Sequence, residues 1–158
     1  MVKRSRSKAR RRALEILFEA EQRGLPAEEV LTLRSSATEL QLNPYARQLV
    51  LGVSARQEEL DELISTYARG WTLERMPTVD RTALRIGAWE LLHNPEIPEA
   101  VAVSEAVALV RELSTDESPR FVNGLLGRLQ QLKPTLVDED EDPLLDEEPG
   151  MDEDADSA

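Results

Sequence analysis

A chain of 158 residues with 41% hydrophobic content suits one packed domain, and six aromatic residues mean that its core must be mainly aliphatic. The absence of cysteine excludes a disulfide framework and a thiolate metal site. The net charge of −12 conceals two opposed ends: seven of the first twelve residues are basic, while residues 138–158 carry twelve acids and no base.

Residues 1–7 read as a flexible basic arm, a charge density suited to nucleic acid or an acidic surface. Ala13, Ile16, Leu17 and Ala20 then recur at i, i+3, i+4 and i+7, which predicts a helix stopped by Gly24-Leu25-Pro26. Arg11 and Arg12 continue the basic run onto this helix, opposite its apolar stripe, and Arg11 can pair with Glu15 at i, i+4. A shorter helix is expected from about Pro26 to Ser36. Asn43-Pro44 supplies an N-cap followed by proline at N1, opening one long helix through Leu60, Leu63, Ile64 and Tyr67 to Gly70.

Thr72 to Arg75 reads as a single turn halted by Pro77. Thr78 is expected to cap a helix with the stripe Leu84, Gly87, Ala88, Leu91 and Leu92, ending near His93-Asn94-Pro95. Pro98 opens another, with Val103, Ala106, Val107, Val110 and Leu113 inward. Ser118-Pro119 repeats the cap-plus-proline signal, Val122, Leu125, Leu126, Leu129 and Leu132 form the last stripe, and Pro134 closes it. No useful stretch alternates with period two, so the expected class is all-α with about six to seven helices over residues 8–133. Residues 134–158 read as a disordered acidic tail, with too few apolar anchors to offset their ordering entropy.

No catalytic chemistry is expected. The single His93 suits a helix C-terminal dipole, and neither a GxGxxG nor a GxxxxGK[ST] phosphate loop is present. No cofactor or metal is implied. No apolar run approaches the ~18 residues needed to span a bilayer, and no h-region follows the basic start, so a cytoplasmic location is expected.

Three constellations remain. The first, Lys3-Arg4-Ser5-Arg6-Ser7-Lys8-Ala9-Arg10-Arg11-Arg12, can neutralise phosphates with counterion release or stack guanidinium groups on unpaired bases; a solubilising tail is the alternative. The second, Trp71 to Arg75 with Val79-Asp80-Arg81 and Leu84-Arg85-Ile86, suits either local capping and pairing or a charged docking surface. The third runs from Ser118 to Gly127. Its glycines at 124 and 127 each cost about 1 kcal/mol in a helix, which close helix packing would explain. Arg120 and Phe121 at the start of that helix could meet a phosphate and a base.

Taken together, Trp71–Leu129 resembles the NusB transcription antitermination family. The likeness rests on Leu84-Arg85-Ile86, Trp89-Glu90-Leu91-Leu92, Ile97-Pro98 with Val101, Ser104-Glu105-Ala106-Val107 and, most specifically, Phe121-Val122-Asn123-Gly124-Leu125-Leu126. The arm with Ala13-Leu14 and Leu17-Phe18 matches the family's arginine-rich first helix. The resemblance implies two small helical subdomains packed at a steep angle. It implies binding to the boxA RNA of ribosomal RNA leaders with the ribosomal protein NusE, and recruitment to RNA polymerase with other Nus factors. It makes Arg10, Arg11 and Arg12 RNA contacts, with Arg120 and Phe121 as weaker candidates, and Glu74, Asp80 and Glu117 partner contacts; Arg4, Arg6 and Lys8 join the RNA contacts on the charge of the basic run. The competing reading is a protein-only scaffold or homodimer with a masked arm. The acidic tail lies outside the family pattern; twelve tethered acids are expected to compete with RNA for the arm, a solubility device being the alternative.

Overall fold

The computed structural model describes residues 2–37 and 43–140, with side chains described at 5–36 and 43–136. Within them the chain forms seven α-helices and one 3-10 turn, and no strand. These are α1 (Val2–Arg23), α2 (Ala27–Ala37), α3 (Pro44–Ala55), α4 (Gln57–Tyr67), the 3-10 turn Leu73–Arg75, α5 (Thr78–His93), α6 (Glu99–Leu113) and α7 (Ser118–Asp140). Helices α1, α2 and α3 pack on one another, and α5, α6 and α7 form a second group that α4 joins. Helix α5 also contacts α1 and α3, so it is the shared element.

That position explains why α5 is buried on all sides from Thr82 to Leu91 rather than along one stripe. Two close approaches pin it. The Trp89 ring lies against Gly52 of α3, where an added Cβ would stand 2.4–2.6 Å from ring atoms. On another side, a Cβ at Gly87 would meet Leu126 Cδ1 at 2.8 Å and Ala106 Cβ at 3.0 Å. Close packing therefore uses Gly52 and Gly87. It does not use Gly124 and Gly127: a Cβ at Gly124 would meet only the Arg128 guanidinium at 3.8 Å, and one at Gly127 would meet nothing within 4 Å.

Other expectations need correction. The long helix from Pro44 divides at Arg56, whose backbone (φ −119°, ψ 20°) leaves the helical region and whose N–H turns back to the Val53 carbonyl. Glu58 and Glu59 then occupy the first turn of α4, where carboxylates suit the dipole. Pro77 rather than Thr78 is the N-cap of α5. Pro134 does not close α7. It removes one backbone donor, but the Lys133–Glu99 ion pair (2.9 Å) and the packing of Leu136 on the core hold the following turn.

The basic segment is not an arm preceding a helix, because α1 is continuous from Val2. Its first turns are tied down: Asn43 Nδ2 donates to Ser5 Oγ (3.3 Å), Arg6 stacks over the Tyr45 ring at 5.5 Å, and Ser7 Oγ donates to Glu105. The acidic segment from residue 141 onward lies outside the described residues.

Candidate nucleic-acid interface

Helical geometry sorts the basic residues of α1. Extending the apolar stripe of Ala13 and Leu14 back by three or four residues reaches Ala9 and Arg10, and both are buried. Arg10 is 2% exposed. Its Nε donates to both Glu90 oxygens (3.0 and 2.9 Å) and its Nη1 to Glu105 (2.9 Å). Tyr45 Oη donates to the same Glu90 carboxylate and accepts from Asn94 Nδ2 (3.2 Å). Burial pushes the Glu90 carboxyl above its ordinary range, with Arg10 and Tyr45 pulling the other way. Burial, with Glu90 beside it, also raises Tyr45. Arg10 is therefore a buried tie between α1, α5 and α6, and its assignment as an RNA contact is corrected: this guanidinium has no surface to offer.

The outward face of α1 carries Lys8, Arg11 and Arg12, at i, i+3 and i+4, all at the surface. Arg11 is 47% exposed and meets Glu112 of α6, with Glu15 at 3.8 Å. Arg12 reaches Glu15 at 3.2 Å. Such exposed pairs hold their partners by only ~0–1 kcal/mol, so a phosphate can displace them. Arg6 is half-buried on Tyr45. The Arg4 side chain lies outside those described.

The same end of α6 leads to the second surface. Two residues beyond Glu112, Ser114 begins the corner into α7. There Ser114 Oγ and Ser118 Oγ donate to the two oxygens of Asp80 (2.6 and 2.8 Å), while Ser118 Oγ accepts from the Thr115 N–H (3.2 Å). Asp80 is 3% exposed, so its assignment as a partner contact is corrected too: both oxygens are engaged in fastening the corner. Around it runs a groove of about 490 Å³ lined by Trp71, Arg75, Pro77, Glu117, Arg120 and Phe121. Trp71 is half exposed and its ring lies 6.1 Å from that of Phe121, tilted by 59°. Arg120, Glu74 and Glu117 are exposed. A tilted aromatic pair with flanking guanidinium groups can receive an unpaired base and its phosphate.

The remaining charges of the second constellation serve the interior. Arg81 donates to Glu21 and to the Leu73 and Met76 carbonyls, and Arg85 holds Asp61 through Nε (2.6 Å) and Nη2 (3.1 Å). Burial would raise Glu21, but Arg81 and Arg85 bring it below the ordinary carboxylate range. His93 at the end of α5 meets Glu59 of α4 at 2.7 Å. The Arg10–Glu90 and Arg11–Glu112 pairs join residues 80 and 101 apart in the chain, and no local pattern announces them.

Among the described residues, no helix is long and apolar enough to cross a membrane, and no group of three or more potential metal ligands occurs. A profile described as the NusB family matches residues 7–131. The chain is 62% identical over 133 residues to the transcription antitermination protein NusB of Paenarthrobacter aurescens, covering 84% of this chain and 98% of that protein. It is 57% identical over 132 residues to the same protein of Thermobifida fusca, covering 84% and 93%. Among solved structures, Thermotoga maritima NusB matches at 31% identity with a TM-score of 0.72, over 80% of this chain and 90% of that one. A chain from a crystal structure of antitermination factors NusB and NusE in complex with dsRNA matches at 26% identity and a TM-score of 0.72, over 81% and 97%. By profile, by identity and by fold, the chain belongs to the NusB family.

Proposed function

We propose that this chain is a non-catalytic transcription antitermination factor that binds boxA-type leader RNA of ribosomal RNA operons together with NusE. The complex then joins RNA polymerase with other Nus factors in the cytoplasm. The observation that carries this reading is the outward row Lys8, Arg11 and Arg12 on a helix held in place from inside by Arg10, in a chain 62% identical to an antitermination protein. A rigid basic helix meets phosphate without first losing the conformational entropy of an arm. The Trp71–Phe121 groove with Arg120 gives unpaired bases a stacking surface. Glu74 and Glu117, exposed beside that groove, are the contacts assigned to NusE.

The test is titration of a labelled boxA-type RNA with this chain, alone and with NusE. Binding that NusE tightens and salt weakens supports the reading. No binding in either mixture at low salt would refute it.

A further inference from the structure

We propose that the acidic C-terminal segment, residues 138–158, docks in cis on the basic outward face of α1 and competes there with RNA. This rests on the RNA-binding reading above and adds a built-in regulator to the same site.

The order of contacts along α6 gives the geometry. Helices α6 and α7 pack on each other, and the Lys133–Glu99 pair (2.9 Å) sets the later turns of α7 at the N-terminal end of α6. On the other side of α6, Ser7 and Arg10 meet Glu105, and Arg11 meets Glu112. Moving toward the start of α1 is therefore moving toward the N-terminal end of α6, beside which the last turns of α7 lie. Glu99 to Glu105 is six residues, about 9 Å of helical rise, and Lys133 to Asp140 is about 10 Å more. Measured along α6, the chain thus leaves α7 about 20 Å from the Ser7–Glu105 contact and about 30 Å from Glu112, on which Arg11 sits. Eighteen residues of flexible chain have an r.m.s. span of about 21–25 Å. A span of about 20–30 Å lies within the reach of the 18 residues 141–158, which extend to about 60 Å at most, and such a tether gives a local concentration of up to about mM.

Charge selects the target. Residues 138–158 carry twelve acids, nine of them beyond Asp140, and residues 1–12 carry seven bases. Residues 13–137 hold 12 Lys+Arg against 19 Asp+Glu, so the rest of the fold repels the tail and the start of α1 attracts it. The face also already accepts carboxylates from this chain: Glu112 occupies Arg11, and Glu15 sits on Arg11 and Arg12. Additional tethered carboxylates enter the same exchange that a phosphate must win. RNA affinity then falls by the fraction of molecules with the face uncovered.

Two measurements test this. In the first, the full-length chain is compared with a variant in which the nine acids of 141–158 become amides, Glu141→Gln through Asp156→Asn. At about 50 mM salt the variant is expected to bind boxA-type RNA about three- to ten-fold more tightly, and within about two-fold of wild type at about 500 mM. A chain ending at Val137, with its helical circular dichroism unchanged, should behave like the variant. The second uses no RNA. A nitroxide on Ala158→Cys, the sole cysteine of that variant, should broaden the amide signals of residues 5–12 at low salt and release them at high salt. Equal affinity of wild type and amide variant at low salt, or unbroadened α1 amides, would overturn the proposal. Amide broadening with no RNA binding by any of these chains would support the contact and count against the function instead.

Discussion

Replacing Arg10 separates a buried tie from a surface contact. In Arg10→Met the aliphatic stem keeps its place in the core, but Glu90, 1% exposed, loses both hydrogen bonds from Nε, and Glu105 loses one. Breaking a buried pair from one side typically costs about 3–5 kcal/mol. Tyr45 still donates to Glu90, which favours the lower figure, about 3 kcal/mol. At about 3 °C per kcal/mol for a chain of this size, Tm should fall by about 10 °C in thermal melts followed by circular dichroism. Arg10→Met combined with Glu90→Gln removes both buried charges and should recover at least about 2 kcal/mol. Arg11→Ala, which breaks only exposed pairs, should change stability by under about 1 kcal/mol. An Arg10→Met protein as stable as wild type, or a double variant weaker than the single one, would refute the buried-tie assignment.

Further outcomes follow from the same contacts. Gly52→Ala drives a Cβ to 2.4–2.6 Å from the Trp89 ring and should destabilise by about 1–3 kcal/mol in urea denaturation. Gly127→Ala meets open space within α7 and should stabilise by up to about 1 kcal/mol; effects of one sign at both positions would contradict the packing described. Because Glu21 is held below its unfolded value, its contribution to stability is fully present above the ordinary carboxylate pKa and is lost as pH falls through the depressed folded value. In Arg81→Gln, burial acts with less opposition. The Glu21 carboxyl titration followed by NMR should therefore move upward, and an unmoved midpoint would show that Arg81 does not set it.

Much of the fold was legible because helix caps and stripes are local. Asn43-Pro44 opens α3, with Asn43 Oδ1 accepting from the Tyr45 N–H at 2.7 Å, and Gly24-Leu25-Pro26 ends α1. The break at Arg56 is not legible in the sequence because its deciding feature is one backbone conformation, which no residue type there demands. Pro134 does not act as the stop that its residue type suggests, because a tertiary ion pair and Leu136 packing outweigh one missing backbone hydrogen bond. The glycines differ from the sequence expectation for a related reason: which of them meets a neighbour depends on side chains arriving from other helices, Trp89 on Gly52 and Leu126 on Gly87. At the candidate site, composition singles out the basic run but cannot sort its residues into buried and exposed. The period of α1 does sort it: Arg10 lies three residues before Ala13 on the apolar stripe, while Lys8, Arg11 and Arg12 lie off it. Asp80 had no such signal, since the serines that engage it stand 34 and 38 residues away.

The central claim is that Lys8, Arg11 and Arg12 form the phosphate-binding face of α1. It is tested most directly by the salt dependence of boxA-type RNA binding, with NusE present, for wild type and for Lys8→Ala/Arg11→Ala/Arg12→Ala. With the melting temperature unchanged, the variant should bind more weakly at low salt. The slope of log affinity against log salt should shrink by about 2, near 0.7 for each single-strand phosphate that is no longer neutralised. An unchanged slope and affinity in a folded variant would place the RNA elsewhere on the molecule.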